Sequence, residues 1–229
     1  MLRTAVPRVW VPNDYPTSDG KPMAETDVHR NLMVELIETL QAWFADSPTT
    51  YVSGNMLVFY EPGDKRRHLA PDVFVVTRSH KHERGNFVIW EEGRSLDVVI
   101  EVTSKTTMRE GLGKKSTLYL TKLGVKEYYL FDPKEEYLKP SFQAFRRIGA
   151  RFVPIEPVAG RFPSKLLKLH LERSGWQLRL WHPVSKQRVP TRAERLAAET
   201  ARADQAEAEV ERLRRLLQQQ HRANGNNGH

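Results

Sequence analysis

The sequence contains no cysteine, which excludes disulfide bonds, thiolate nucleophiles and cysteine-ligated zinc. Carboxylate and histidine side chains are therefore the remaining candidates for metal ligands. The sequence also lacks any run of about 20 apolar residues, the length that a membrane-spanning helix needs. No long apolar stretch follows the charges of the first sixteen residues, as a secretory signal would require. We therefore expect a cytoplasmic protein with no membrane association.

The chain is basic, with 36 Lys and Arg against 28 Asp and Glu and a formal net charge of +8. Residues 191–229 contain seven arginines and six acidic residues, so nearly all of the excess lies before residue 191. A basic globular part favours a polyanionic partner such as nucleic acid. The same charge also fits a surface that only keeps the protein in solution, and charge alone does not decide between the two.

The spacing of apolar residues predicts an α/β arrangement up to residue 133. Helical spacing runs over 27–44, with Asp27 available as a cap, and again over 109–123, before Gly124. Short segments rich in Val, Phe and Tyr, separated by Gly, Pro or charged residues, predict four strands. These strands cover 51–60, 69–77, 96–103 and 127–132. The order of helix, three strands, helix and strand predicts a mixed sheet with helices packed on it.

The rest of the chain predicts extra short strands and then one long helix. Strand-like stretches between glycines in 137–182 extend the same domain, which we place at residues 1–190. Residues 191–221 contain no Gly, Pro or aromatic residue and are rich in Ala, Glu, Arg and Leu, which predicts a helix. Residues 222–229 are expected to be disordered.

A heptad pattern in this last helix predicts self-association. Leu196, Ala203, Val210 and Leu217 recur every seven residues, and Ala206 and Leu213 mark a second line. The pattern is typical of a coiled coil, and it favours a homo-oligomer, most simply a dimer. A lone solvated helix is the alternative, because the first heptads present Ala and Glu instead of large apolar groups.

Two carboxylates occupy otherwise apolar predicted strands. Asp72 follows Pro71, and Glu101 lies in the middle of VVIEVT. A buried carboxylate is costly unless an opposite charge or a cation compensates it, and converging carboxylates attract Mg²⁺ or Mn²⁺. Asp97 and Thr103 share the parity of Glu101 and therefore its face of the strand. Asp72 beginning a strand and Glu101 pairing with an arginine are the structural alternatives.

A metal held by carboxylates can cleave a phosphodiester, and a lysine near the carboxylates would add stabilisation of negative charge. The obvious place for that lysine is two residues after Glu101, but that residue is Thr103. The candidates are Lys105 and the Lys114–Lys115 pair on the following helix. Lys115 lies beside the buried stripe of that helix, near Tyr119, whereas Lys114 points away. We therefore favour Lys115, with a purely solvated lysine as the alternative.

His29 lies on the apolar stripe of the first helix and so faces the sheet from its first turn. A structural or substrate-orienting role is favoured over metal ligation.

Three segments together resemble the Uma-type (Uma-two) family of proposed restriction endonucleases. They are APDVFVV, LDVVIEVTSKTT and GKKSTLYLTKLGVKEYYLFDP, in that order between residues 70 and 133. The last segment places a lysine, a tyrosine, a Gly-Val pair and a terminal Asp-Pro at the family's spacing. His29 at the start of a leucine-rich helix and the Ala/Glu/Arg-rich C-terminal helix are also similar to members of the family.

The resemblance implies a fold and a set of roles. The family belongs to the PD-(D/E)XK nuclease superfamily, which implies a restriction-endonuclease-like mixed sheet flanked by helices, with the core order α-β-β-β-α-β. It implies that Asp72 and Glu101 bind the metal, that the Val102 carbonyl is a further ligand, and that Lys115 is the catalytic lysine, displaced onto the helix and supported by Tyr119. The chain departs from the family at Gly111, where many members carry an acidic residue.

The function predicted is hydrolysis of phosphodiester bonds in DNA by a Mg²⁺-dependent endonuclease, with Mn²⁺ as a possible substitute. His29, Thr103, Lys105 and Tyr119 support the three catalytic residues in this prediction. The alternative is a catalytically inactive nuclease-like module that binds nucleic acid and oligomerises or recruits a partner through its C-terminal helix. Gly111 and Thr103 are the two features that favour the alternative.

Overall fold

The computed structural model describes residues 13–18, 20, 26–103 and 112–225, and in the last of these ranges the side chains of 113–219. The chain divides into two compact units, Met1–Val189 and Pro190–His229. The first unit contains the sheets, and the described part of the second is dominated by a single helix.

The first unit contains three helices and thirteen strands among its described residues. In chain order they are α1 (Asp27–Trp43), β1 (Thr50–Ser53), β2 (Val58–Phe59), β3 (His68–Leu69), β4 (Val73–Thr77), β5 (Phe87–Val88), α2 (Ile89–Glu92), β6 (Val98–Val102), α3 (Leu112–Thr121), β7 (Glu127–Phe131), β8 (Phe142–Ile148), β9 (Arg151–Pro154), β10 (Arg161–Ser164), β11 (Leu169–Ser174), β12 (Gln177–His182) and β13 (Gln187–Arg188).

The main sheet has six strands in the order β1-β4-β6-β7-β8-β9. Only β6 and β7 are parallel within it, and the other neighbours are antiparallel. The chain between β6 and β7 contains α3, as a crossover between parallel strands requires. The elements α1, β1, β4, β6, α3 and β7 therefore follow the order α-β-β-β-α-β. This confirms the predicted restriction-endonuclease-like core.

The two central strands are buried on both faces, as their continuous apolar sequences predict. On one face Val98, Ile100 and Val102 join a core with Leu32 and Leu36 of α1. On the other face, alternate residues of the same strands join a second core that includes Tyr119, Leu123, Val99 and Tyr128. The sheet therefore separates two hydrophobic layers, and a side chain's parity decides which layer it enters.

Several predicted boundaries differ from the observed ones for local reasons. The cap of α1 is Thr26, whose side chain accepts a hydrogen bond from the His29 N–H, while Asp27 is already helical. The predicted strand 51–60 is two strands, β1 and β2, because the chain turns between them at Gly54 and Asn55. The predicted strand 69–77 is likewise divided into β3 and β4.

The extra C-terminal strands are present and serve two sheets. β8 and β9 extend the main sheet, while β10, β11, β12 and β13 form a separate four-stranded sheet in that order. Leucines of this second sheet join the core beneath α1. The Trp43 indole N–H donates to Leu167 O at 3.0 Å and links the end of α1 to this region.

The second unit is α4 (Arg192–Gly225). It begins with a reciprocal cap, in which Thr191 N–H donates to Glu194 Oε2 at 2.7 Å and Glu194 N–H donates to Thr191 Oγ1 at 3.2 Å. The helix continues four residues beyond the predicted end at 221, so part of the segment expected to be disordered is helical; 226–229 lie outside the described residues. No helix in the described ranges has the length and apolarity that crossing a membrane requires.

Candidate active site

The two candidate carboxylates lie side by side on neighbouring strands of the main sheet. Glu101 belongs to β6, and Asp72 comes immediately before β4. Val73 is opposite Ile100 in this antiparallel pair, so the next step of the register sets Asp72 opposite Glu101. Glu101 is fully buried, and Asp72 is 7% exposed. The sheet therefore holds two acidic groups together where each charge needs compensation.

The compensation for Glu101 comes from α3. Lys115 and Tyr119 are four residues apart and so lie on the same face of the helix, one turn from each other. The Lys115 Nζ lies 3.2 Å from Glu101 Oε2, and the Tyr119 hydroxyl donates a hydrogen bond to Glu101 Oε1. Lys114 is exposed. Of the pair of lysines on α3, the structure thus brings Lys115 to the carboxylate, as the helical phase predicts.

The ionisation of Glu101 is shifted by its surroundings. Burial raises the pKa of Glu101 to about 7; the Lys115 ammonium opposes this shift, and the charge of Asp72 adds to it. Burial also raises the pKa of Tyr119 well above its usual range, with the charge of Glu101 acting in the same direction. Tyr119 therefore remains a hydrogen-bond donor at neutral pH. A carboxyl group shifted toward neutral pH beside a second carboxyl group is characteristic of functional sites.

Asp72 is held by contacts on both of its oxygens. Its Oδ2 accepts a hydrogen bond from the Val102 N–H at 2.7 Å. Its Oδ1 lies 3.1 Å from Nε2 of His29, which is in the first turn of α1. The Thr26 cap starts α1 in the position that directs His29 toward this carboxylate. Asp72 thus contacts both β6 and α1 beside Glu101, in addition to preceding β4.

A turn fixes the backbone at Asp72. Gly54 packs so closely on it that a Cβ at position 54 would lie 1.9 Å from the Asp72 carbonyl oxygen. The next residue, Asn55, has a φ of 48° and donates its N–H to Pro71 O at 2.8 Å. Sequence reasoning missed this contribution, because it placed both residues inside a strand. The Gly-Asn pair is a turn signal in itself.

The remaining sequence candidates have different positions. Thr103 donates its N–H to Phe131 O at 2.7 Å, which continues the β6–β7 ladder and keeps Thr103 on the face of Glu101. Its hydroxyl is buried and has no hydrogen-bond partner among the described residues. Asp97 accepts from Thr77 and lies 2.5 Å from Lys126 Nζ, which makes it a structural residue at the other end of β6.

Lys105 and Gly111, two further positions named from the sequence, lie outside the described residues. Tyr128 is a residue that sequence reasoning did not single out. Its ring lies 5.2 Å from that of Tyr119, and its buried hydroxyl has no hydrogen-bond partner within the part of the chain that the structure describes. Burial raises the pKa of Tyr128 well above its usual range, and the charges of Glu101 and Asp72 act in the same direction. Nothing in its sequence context separates it from an ordinary core tyrosine.

The donor chemistry of the site fits a small divalent cation. Carboxylate and carbonyl oxygens are the ligands that Mg²⁺ and Mn²⁺ prefer, and Asp72, Glu101 and the backbone of Val102 supply both types. Within the described residues no group of three or more His, Asp and Glu side chains is arranged to hold a metal. A cation would therefore depend on two carboxylates, backbone oxygen and water. It would also relieve the repulsion between the carboxylates, which contributes to the shifted pKa of Glu101.

The order of elements, with Glu101 on β6 and Asp72 just before the neighbouring strand β4, matches the restriction-endonuclease-like class. A family model described as "Putative restriction endonuclease" matches residues 14–156. The chain belongs to this family, Uma2. A crystal structure of a "putative nuclease" from Anabaena variabilis ATCC 29413 is similar to it, with 17% identity and a TM-score of 0.46 over 66% of this chain and 80% of that one. No curated protein matches the chain significantly.

Proposed function

We propose that the chain is a metal-dependent endonuclease that hydrolyses phosphodiester bonds in DNA. In this proposal Asp72, Glu101 and the Val102 carbonyl hold Mg²⁺ or Mn²⁺, and Lys115 assists the attacking water. The observation that carries the proposal is the position of Glu101: a fully buried carboxylate beside a second carboxylate, with a lysine 3.2 Å away.

The energetic cost of this arrangement supports a functional interpretation. Burying a pair of like charges is unfavourable, and an apolar residue at position 101 would continue the pattern of β6 without that cost. A single lysine and a tyrosine hydroxyl compensate Glu101 only partly, because its pKa stays near 7. Residues that reduce stability in this way are expected where activity requires them.

Each side chain of the candidate site has a distinct role in this proposal. A bound divalent cation supplies Lewis-acid stabilisation of the phosphodiester's charge. Lys115, beside Glu101 and 18% exposed at its side chain, can reach solvent, where its ammonium stabilises negative charge and orients water. Tyr119 holds one oxygen of Glu101, and His29 lies against one oxygen of Asp72. DNA as substrate is supported by the family's description and by the basic charge of residues 1–190.

A second candidate is a nucleic-acid-binding module that has lost turnover. It is favoured by Thr103 at the position where a lysine would follow Glu101, and by the contacts that already occupy both oxygens of Glu101. This candidate predicts DNA binding that weakens with salt but does not change when the divalent cation is removed.

Titration of Mn²⁺ into the protein by calorimetry separates the two candidates. We expect a saturable site in the wild type that is lost in Asp72→Asn, with Asp46→Asn, an exposed aspartate, as the matched control. Equal binding by wild type and Asp72→Asn would show that Asp72 is not a metal ligand. No binding at all by a folded wild type would favour the module without turnover.

A further inference from the structure

The long helix α4 presents an apolar stripe that nothing in its own unit covers. The described side chains from Leu196 to Gln219 are all exposed. Leu196 is 61% exposed, Val210 47%, Leu213 49% and Leu217 55%. In the heptad notation these residues occupy positions a, a, d and a. Large apolar groups that recur at heptad spacing on one exposed stripe indicate a helical partner.

The charges beside this stripe indicate which partner. Positions g and e flank the core of a coiled coil, and in a parallel, in-register pair each g residue faces the e residue five positions later on the other helix. Arg202 at g then faces Glu207 at e, and Glu209 at g faces Arg214 at e. Each pair occurs twice by symmetry, so four attractive contacts link two identical helices.

An antiparallel pair of the same helices has worse contacts. Matching Ala206 with Val210 aligns the two cores, but it sets Leu217 opposite Glu199. It also brings Glu207 near Glu207 of the second copy, and Glu209 near its own counterpart. Like charges in these flanking positions are destabilising. The parallel pair instead matches leucine with leucine and valine with valine.

We propose that α4 binds α4 of a second copy of this chain as a parallel, in-register, two-stranded coiled coil over residues 202–217. Val210 at a followed by Leu213 at d favours two strands over three or four. The contact begins near Arg202, because Glu199 occupies a core d position in the preceding heptad and would face its own counterpart. This proposal is independent of the proposed nuclease activity, since it uses no residue of the candidate active site.

The absence of cysteine allows a direct test of the register. Ala206 is at a d position, and in the parallel pair two cysteines there come within the distance that a disulfide needs. Ala208 is at f, on the outer face of the same turn. Full-length Ala206→Cys should give a covalent dimer on mild oxidation, and full-length Ala208→Cys should not. Equal cross-linking of the two variants, or none by Ala206→Cys, would overturn the register.

Charge exchange tests the partner choice independently. Arg202→Glu should weaken the dimer about tenfold, because two attractive pairs become repulsive, and Glu207→Arg should do the same. A mixture of the two single variants should form the heterodimer in preference to either homodimer, since every pair is then attractive again.

The matched control is Arg215→Glu at the outer f position, which loses an intrahelical pair with Glu211 but no contact between helices. Sedimentation and native mass spectrometry of the full chains report the masses. A monomeric wild type, or no preference for the heterodimer, would contradict the proposal.

Discussion

Glu101 shows how one residue connects stability and function in this protein. It lies in a strand whose other four residues are all buried and apolar, and it has no exposed surface. Lys115, Tyr119 and Asp72 surround it, and the balance of their effects with burial leaves its pKa about 7. In the folded protein without metal, a large fraction of Glu101 is therefore protonated near pH 7, while the proposed reaction requires the carboxylate.

This balance predicts a pH-dependent gain of stability in Glu101→Gln. The carboxyl pKa rises from 4.5 in the unfolded chain to about 7 in the folded protein. The contribution of protonated Glu101 to the stability of the folded protein is thus complete below about pH 4.5, and it is lost as the pH rises through 7. Without metal, the free energy of unfolding of Glu101→Gln should be about 3 kcal/mol higher than that of the wild type at pH 8. The difference should shrink toward pH 4.5. Urea denaturation in EDTA measures it.

The matched control is Glu127→Gln in the adjacent strand. Glu127 is also buried, but it pairs with Arg146 at 3.1 Å and accepts the Lys165 N–H at 3.0 Å. Removing this charge should destabilise the protein by about 1 to 3 kcal/mol. If Glu101→Gln were destabilising at pH 8 to the same extent as Glu127→Gln, Glu101 would be an ordinary ion-paired residue.

Lys115 and Lys114 provide a second comparison at the residue scale. Lys115→Ala should lower the rate of DNA cleavage about 100-fold to 1,000-fold, because it removes the ammonium beside the carboxylates. Lys114→Ala should retain nearly the wild-type rate, since Lys114 is exposed on the same helix. Single-turnover cleavage assays measure both. Equal rates for the two variants would remove Lys115 from the proposed mechanism.

Part of this site could be predicted from the sequence because its residues break local patterns. Asp72 and Glu101 are acidic residues in apolar segments, and Lys115 could be placed by helical phase. The position of Thr103 on the face of Glu101 follows from strand parity. The partners of these residues could not be predicted in the same way, because the contact between Tyr119 and Glu101 depends on how α3 packs against the sheet.

At the scale of elements, the turn between β1 and β2 holds the backbone that carries Asp72. Gly54 and Asn55 contact the segment just before β4. The strand β4 begins 19 residues after Gly54 along the chain. The predicted single strand over 51–60 was wrong for this reason: the pattern of apolar residues continues across the turn, but the backbone does not stay extended there. The pairing of β1 with β4 ends at Ser53, opposite Phe74, immediately before this turn.

Gly54→Ala should disturb the site through this turn. The new Cβ would lie 1.9 Å from the Asp72 carbonyl oxygen, so the backbone at Asp72 must move. We expect a loss of stability of about 2 kcal/mol or more, together with weaker Mn²⁺ binding. Thermal denaturation and calorimetry measure the two effects.

Gly113→Ala is the control for the same substitution. Gly113 is in α3, and a Cβ there would meet nothing within 4 Å. Alanine should therefore stabilise the protein by up to about 1 kcal/mol through its helix propensity. If Gly54→Ala were equally well tolerated and kept its affinity for Mn²⁺, the turn would not position Asp72.

At the scale of the whole molecule, the order of elements was the most predictable feature. Hydrophobic periodicity gave the succession of helices and strands, because each element is amphipathic or buried over its own length. The distribution of the later strands between two sheets was not predictable. β8 and β9 join the main sheet and β10–β13 form another, and such pairings depend on contacts distant in sequence.

The division into two units predicts that the proposed DNA binding and the proposed self-association are separable. Seven of the eight excess positive charges lie in residues 1–190, while the heptad stripe lies in α4. Deleting 191–229 should therefore abolish dimerisation but leave the affinity of each folded copy for a short DNA duplex within a few-fold of the wild type. Sedimentation and fluorescence anisotropy measure the two properties. A complete loss of binding by the folded, truncated chain would place the nucleic-acid contact in α4.

The most direct test of the central claim is cleavage of supercoiled plasmid by wild type and Glu101→Ala. Each protein is first shown to be folded and is then assayed in EDTA, Mg²⁺ and Mn²⁺. The account predicts nicking or cutting by the wild type with Mg²⁺ or Mn²⁺, none in EDTA, and none by Glu101→Ala under any condition. Cleavage by Glu101→Ala at the wild-type rate, or no cleavage by the folded wild type with either metal, would contradict it.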